Sequence, residues 1–64
     1  MYGKMDFDGD RWSIGGHDLH CGDCFDVLIN GVWVSARIEQ ADNGKWYFED
    51  LPPVWLVGCQ ARII

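Results

Sequence analysis

The sequence predicts an all-β fold, a small closed barrel of five to six antiparallel strands that takes residues 1–64 as a single domain. Three observations predict it. Apolar residues alternate in short runs, and no window holds a sustained 3.6-residue period. Glycines, eight in all, punctuate those runs, and Asn30-Gly31 is a strong two-residue hairpin signal. The length of 64 residues admits one small domain and excludes a Rossmann unit, a TIM barrel or a two-lobed enzyme. Closure into a barrel removes the edges an open sheet would expose.

The elements follow in order. Met5-Asp6-Phe7 and Trp12-Ser13-Ile14 alternate, and Asp8-Gly9-Asp10 between them reads as a hairpin turn, with Gly9 supplying positive φ. Gly15-Gly16-His17-Asp18 breaks the second strand, and Leu19 to Asp23 reads as an irregular polar connection. A two-residue turn at Asn30-Gly31 pairs Ile29 with Val32, Val27 with Val34 and Phe25 with Ala36, all apolar and on one face. The other face then sets Leu28 beside Trp33, Asp26 beside Ser35 and Cys24 beside Arg37. Asp42-Asn43-Gly44 is the next turn and Trp46-Tyr47-Phe48 the strand after it. A two- or four-residue loop puts Tyr47 on the face of Ile38; a three-residue loop puts Trp46 and Phe48 there instead. Leu51-Pro52-Pro53-Val54-Trp55 is a stiff bridge outside the ladder, suited to a short 3₁₀ turn before the last strand. That strand spans about 57–63, with Cys59, Ala61 and Ile63 facing one way and Gln60 and Arg62 the other. An SH3-like barrel fits this order best, and a small OB-like barrel second.

Composition narrows function by exclusion. Five basic against ten acidic residues give a net charge of −5. The acids are front-loaded: residues 1–32 carry −4 and residues 33–64 carry −1. Lys4, Arg11, Arg37, Lys45 and Arg62 are scattered, so the basic patch of a direct nucleic-acid binder is missing. The opening MYGKMDFDGD has no apolar core segment, and no run approaches the ~20 apolar residues of a membrane helix. Three cysteines are an odd number and too few for a disulfide scaffold, which suits a reduced bacterial-type cytoplasm.

Several motifs invite a chemical reading. His17-x-x-His20-Cys21-x-x-Cys24, with Cys59 further on, supplies N and S donors of the kind zinc takes in a tetrahedron. The second well-separated ligand pair of a structural zinc site is lacking, so a polar loop with small packing cysteines is the favoured reading, and no metal or cofactor is expected. Cys21-Gly22-Asp23-Cys24 lacks the helix start that lowers a thiol pKa in redox pairs. Asp6-x-Asp8-Gly9-Asp10 fails as a calcium loop, since its sixth and twelfth positions are Arg11 and His17 rather than Gly and Glu. Gly22-Asp23 suits a turn in which Asp accepts backbone N–H bonds, and Arg37 suits a cross-strand pairing with Asp26 or Glu39. No nucleophile, base and orienter share a demanding spacing. A barrel this small also lacks room for a pocket of ~300–1,000 Å³, so no enzyme is expected.

A set of segments resembles a family of short bacterial proteins known as a domain of unknown function, DUF5348. They are Leu19-His20-Cys21-Gly22-Asp23, Val27 to Val34 with Asn30-Gly31-Val32-Trp33, Arg37-Ile38-Glu39, Lys45-Trp46-Tyr47, Leu56-Val57-Gly58 and Ala61-Arg62-Ile63. The resemblance covers nearly the whole chain. It implies an SH3-like fold and a bacterial accessory protein, and it assigns no activity.

The aromatic load carries the functional expectation. Nine aromatic side chains, 14% of the chain, exceed what so small a core can hide. Trp33, Trp46, Tyr47 and Trp12 are therefore the candidate partner-binding residues of a non-enzymatic protein- or peptide-interaction module. Its partner is a protein or peptide, of basic character given the acidic first half, and a homodimer is the plainer alternative. A nucleic-acid-linked role is the second expectation, as an accessory of mobile DNA or an acidic mimic of DNA. A small zinc protein is the third.

Overall fold

Short alternating runs separated by glycine turns form seven strands: β1 (Tyr2–Phe7), β2 (Trp12–Ile14), β3 (His17–Asp18), β4 (Cys24–Ile29), β5 (Val32–Gln40), β6 (Trp46–Glu49) and β7 (Gln60–Arg62). The structure is a computed structural model and describes residues 1–51 and 55–63. The 3₁₀ turn expected between Leu51 and Trp55 falls at Pro52, Pro53 and Val54, outside the described residues.

The Asn30-Gly31 turn takes positive φ at both positions, 51° and 77°, as a type I′ hairpin requires. It sets the expected register, with Ile29 opposite Val32, Val27 opposite Val34 and Phe25 opposite Ala36. Val27, Phe25 and Ala36 of that face are buried, whereas Val32, beside the turn, is exposed. The β5–β6 connection is the three-residue alternative. Ala41 N–H donates to the Lys45 carbonyl (2.9 Å), leaving Asp42, Asn43 and Gly44 as the loop. Phe48 therefore opposes Ile38 and Tyr47 opposes Glu39, so Trp46 and Phe48 face inward and Tyr47 faces out.

The seventh strand is β3, which lies where the sequence suggested a break. Gly15 and Gly16 both adopt positive φ, 55° and 83°, so the chain turns back at once and His17 pairs with Ile14. Leu19 then returns to the interior and is fully buried, its N–H bonded to the Trp12 carbonyl (2.8 Å). At the other end β7 begins later than expected, because Val57-Gly58 is a turn with Gly58 at φ 88°. Ala61 points inward and is fully buried, as the alternation required.

All pairings are antiparallel, in the order β3-β2-β1-β7-β4-β5-β6. β1 changes partner midway: Tyr2–Lys4 pair with β7 and Met5–Phe7 pair with β2. The sheet folds over at this crease, where β2 ends against β1. A Cβ on Gly3 would stand 2.6 Å from the Gly15 Cα, so only glycine allows the approach. The result is a curled half-barrel around Met5, Trp12, Ile14, Leu19, Phe25, Val27, Ile38 and Leu56.

The expected closed ladder is not completed among the described residues, where β3 and β6 each pair on one side only. Side chains span the gap instead. The rings of Trp12 and Phe48 meet edge to face at 5.0 Å, and the Trp46 indole N–H donates to the Asp10 carbonyl (2.8 Å). No helix of the described residues is long and apolar enough to cross a membrane.

Candidate functional site

A chain of aromatic contacts runs from the core to the surface at the gap between the sheet edges. Phe25 meets Phe48 (5.8 Å), Phe48 meets Trp12 (5.0 Å), and Trp12 meets both Phe7 (5.0 Å) and Trp55 (5.5 Å). Phe7 also meets Trp55 edge to face (6.4 Å). Such contacts are worth ~0.5–1.5 kcal/mol each beyond area burial. They hold Trp55 on the surface, 70% exposed, the most exposed large apolar side chain described.

Trp55 forms one side of an open groove of about 350 Å³. Phe7, Trp12 and Trp46 line it with Trp55, and Asp10 and Lys45 bring the two hairpin tips to it. The tips are built from local chemistry. The Asp8 carboxylate accepts the N–H groups of Asp10 (2.8 Å) and Arg11 (2.7 Å), and Gly9 supplies φ 97°. Those two backbone bonds, the Arg11 one foremost, hold the Asp8 carboxyl below its ordinary value. On the other tip the Asn43 side chain accepts the Lys45 N–H (3.0 Å), and Gln40 Nε2 donates to the Gly44 carbonyl (3.0 Å). Arg11 lies over the Trp46 ring at 5.7 Å while its Nη1 donates to the Leu19 carbonyl (3.0 Å). The groove thus presents rigid rings at its centre and charge at its margin.

The candidate binding residues separate into three places. Trp46 lines the groove. Trp12 also lines the groove but is only 5% exposed, because it faces inward on β2 against Phe7 and Phe48. Tyr47 is exposed on the outer face of β6. Trp33 lies on the outer face of the sheet, half-buried, with the Arg62 guanidinium 4.1 Å from its ring centroid and Tyr2 edge-on at 6.2 Å. Trp55 and Phe7 were missed. A signal existed for Trp55: a tryptophan following two prolines has no strand face on which to be buried. The groove's volume reaches the lower end of ligand-pocket sizes.

The His/Cys segment resolves into a turn. Asp23 N–H donates to the His20 carbonyl (3.0 Å), Gly22 takes φ 90°, and the Asp23 carboxylate accepts the His20 N–H (2.8 Å). Gly22 and Asp23 both oppose Ile38, a β-bulge that leads into β4. This is the structural role expected of Gly22-Asp23. Cys21 and Cys24 are exposed, their sulfurs near Glu39 Oε1 (3.8 Å) and the Gly22 carbonyl (3.9 Å). Cys59 lies half-buried before β7 and His17 is exposed on β3. Among the described residues no group of three or more His, Cys, Asp or Glu is placed to hold a metal ion.

A second open groove of about 410 Å³ runs along the outer face, lined by Cys24, Asp26, Ser35, Arg37, Glu49 and neighbouring residues. Its charges are largely spoken for. Arg37 takes the Glu39 carboxylate (3.3 Å), which raises its already high pKa, rather than Asp26. Asp26 accepts from Arg62 Nε (3.0 Å) and Ser35 Oγ (3.0 Å). The Arg62 bond first and the Ser35 bond second hold the Asp26 carboxyl below its ordinary value.

The fold recurs in a crystal structure of a protein from Ruminococcus gnavus, 36% identical, with a TM-score of 0.74 over 98% of this chain and 100% of that one. No curated protein matches. Residues 4–63, from within β1 to just past β7, match the family model described as a domain of unknown function, and the chain belongs to that family, DUF5348.

Proposed function

We propose that this domain is a non-enzymatic module that binds an extended, proline-containing protein segment in the groove between Trp46 and Trp55. One observation carries the reading: Trp55 stands 70% exposed, braced by Phe7 and the buried Trp12. A bare surface tryptophan is costly to expose and of little structural use, whereas braced aromatic rings suit the flat faces of a polyproline II ligand. Asp10 at one end favours a Lys or Arg in the bound segment, in keeping with a net charge of −5. The curled sheet and its first hairpin support an SH3-like assignment, in which an aromatic groove lies beside an acidic loop. Three free cysteines accord with a reduced bacterial cytoplasm as the setting.

Calorimetry with a synthetic Pro-rich peptide carrying one Arg tests the reading. Saturable binding that Trp55→Ala abolishes and Trp33→Phe leaves intact is the expected outcome. Equal binding by wild type and Trp55→Ala overturns it.

A further inference from the structure

The outer edge of β6 has a backbone pattern that selects its own partner. The Ala41 N–H bond to the Lys45 carbonyl turns the Lys45 backbone toward β5. Ile38 directs both its N–H and its carbonyl toward Asp23 and Gly22, on the β4 side. Arg37 and Glu39 are therefore the β5 residues that bond to β6, through Glu49 and Tyr47. Backbone groups alternate sides along a strand, so those of Trp46 and Phe48 point away from β5. Among the described residues no strand pairs with them. β6 holds no proline, bulge or lysine within its four residues, and its one charge, Glu49, lies at its end.

We propose that β6 pairs antiparallel with β6 of a second copy of this chain, on a two-fold axis through Tyr47. The backbone favours one register. Within β6, Trp46 and Phe48 are the residues that bond outward, and all their outward groups are used at once when Trp46 faces Phe48 of the other copy, and Phe48 its Trp46. This gives two hydrogen-bonded pairs and leaves Tyr47 opposite Tyr47 as the close, non-bonded pair at the axis. The same register puts Lys45 opposite Glu49 twice, once on each side of the axis. Neither Lys45 nor Glu49 has an ion-pair partner among the described residues, since Arg37 is taken by Glu39. Tyr47 is 46% exposed on the outer face, where the partner tyrosine would cover it. Charge, backbone and exposed ring are complementary in this one register. The pairing also sets the two Trp46-lined grooves side by side.

Sedimentation velocity over a concentration series, with wild type, Lys45→Glu, Glu49→Lys and the double reversal, tests the proposal. The wild type is expected to dimerise. Each single reversal creates two like-charge pairs and weakens the dimer by about tenfold or more. The double reversal restores it. Hydrogen exchange gives the matching backbone readout, in which dimerisation protects the amides of Trp46 and Phe48 and leaves those of Tyr47 and Glu49 unchanged. A wild type monomeric throughout the series overturns the proposal, as do single reversals without effect, a double reversal that does not recover, or protection confined to another segment.

Discussion

The indole N–H of Trp46 donates to the carbonyl oxygen of Asp10 at 2.8 Å, joining positions 36 residues apart. This bond ties β6 to the tip of the first hairpin, across a gap that no ladder closes among the described residues. It also fixes the angle of the ring that forms one side of the groove.

Trp46→Phe keeps a ring but removes the donor. Because the Asp10 carbonyl can turn to water, the loss should be that of one ordinary hydrogen bond, about 0.5–1.5 kcal/mol, read from urea unfolding. Peptide binding should weaken more than stability does, because the freed ring no longer holds its side of the groove.

Trp12 and Trp55 touch, yet their substitutions should differ sharply. Trp12→Ala empties a core position and should cost about 3–5 kcal/mol, comparable to the whole stability of so small a domain. Its circular dichroism at room temperature should be that of a largely unfolded chain. Trp55→Ala removes an exposed ring and should cost about 1 kcal/mol or less, leaving the spectrum folded.

Gly3 and Gly9 separate steric from conformational need. At Gly3 a methyl group meets Gly15 backbone at 2.6 Å, so Gly3→Ala must shift β1 from β2, at a cost of about 1–3 kcal/mol or more. At Gly9 nothing lies within 4 Å, and Gly9→Ala should lose only the positive-φ preference, about 1 kcal/mol. Parallel thermal melts of the two variants check the order.

Asp26 gives the sign of one pH effect. Its carboxyl is held below the ordinary aspartate value in the folded chain by Arg62 and then Ser35. The stabilisation is therefore present above the ordinary aspartate range and lost as pH falls through the lower folded value. Melts from about pH 6 down to about pH 2 should show a steeper acid loss for wild type than for Asp26→Asn, which lacks the titrating group.

The sequence made the hairpins legible because turn chemistry and alternation agree there: Asn30-Gly31 and the run from Phe25 to Ile38 admit one register. At Trp46-Tyr47-Phe48 three consecutive rings satisfy either face, so only loop length could decide, and the Ala41–Lys45 bond does so. β3 was hidden because two residues carry no period and a glycine pair signals a break as readily as a turn. The contact of Trp12 with Phe48 across the open side was not legible, because it joins rings from distant segments that share no pattern. Half the groove was legible as an excess of aromatics. Its location was not, because it joins Phe7, Trp46 and Trp55 from segments far apart in the chain.

The central claim is that the groove between Trp46 and Trp55 receives an extended peptide. Indole N–H resonances of the four tryptophans, followed by NMR through a titration with a Pro-rich, Arg-bearing peptide, test it most directly. Saturable shifts of the Trp46 and Trp55 indoles, with Trp33 unmoved beneath Arg62, are predicted. Shifts centred on Trp33, or none at either groove indole, would contradict the account.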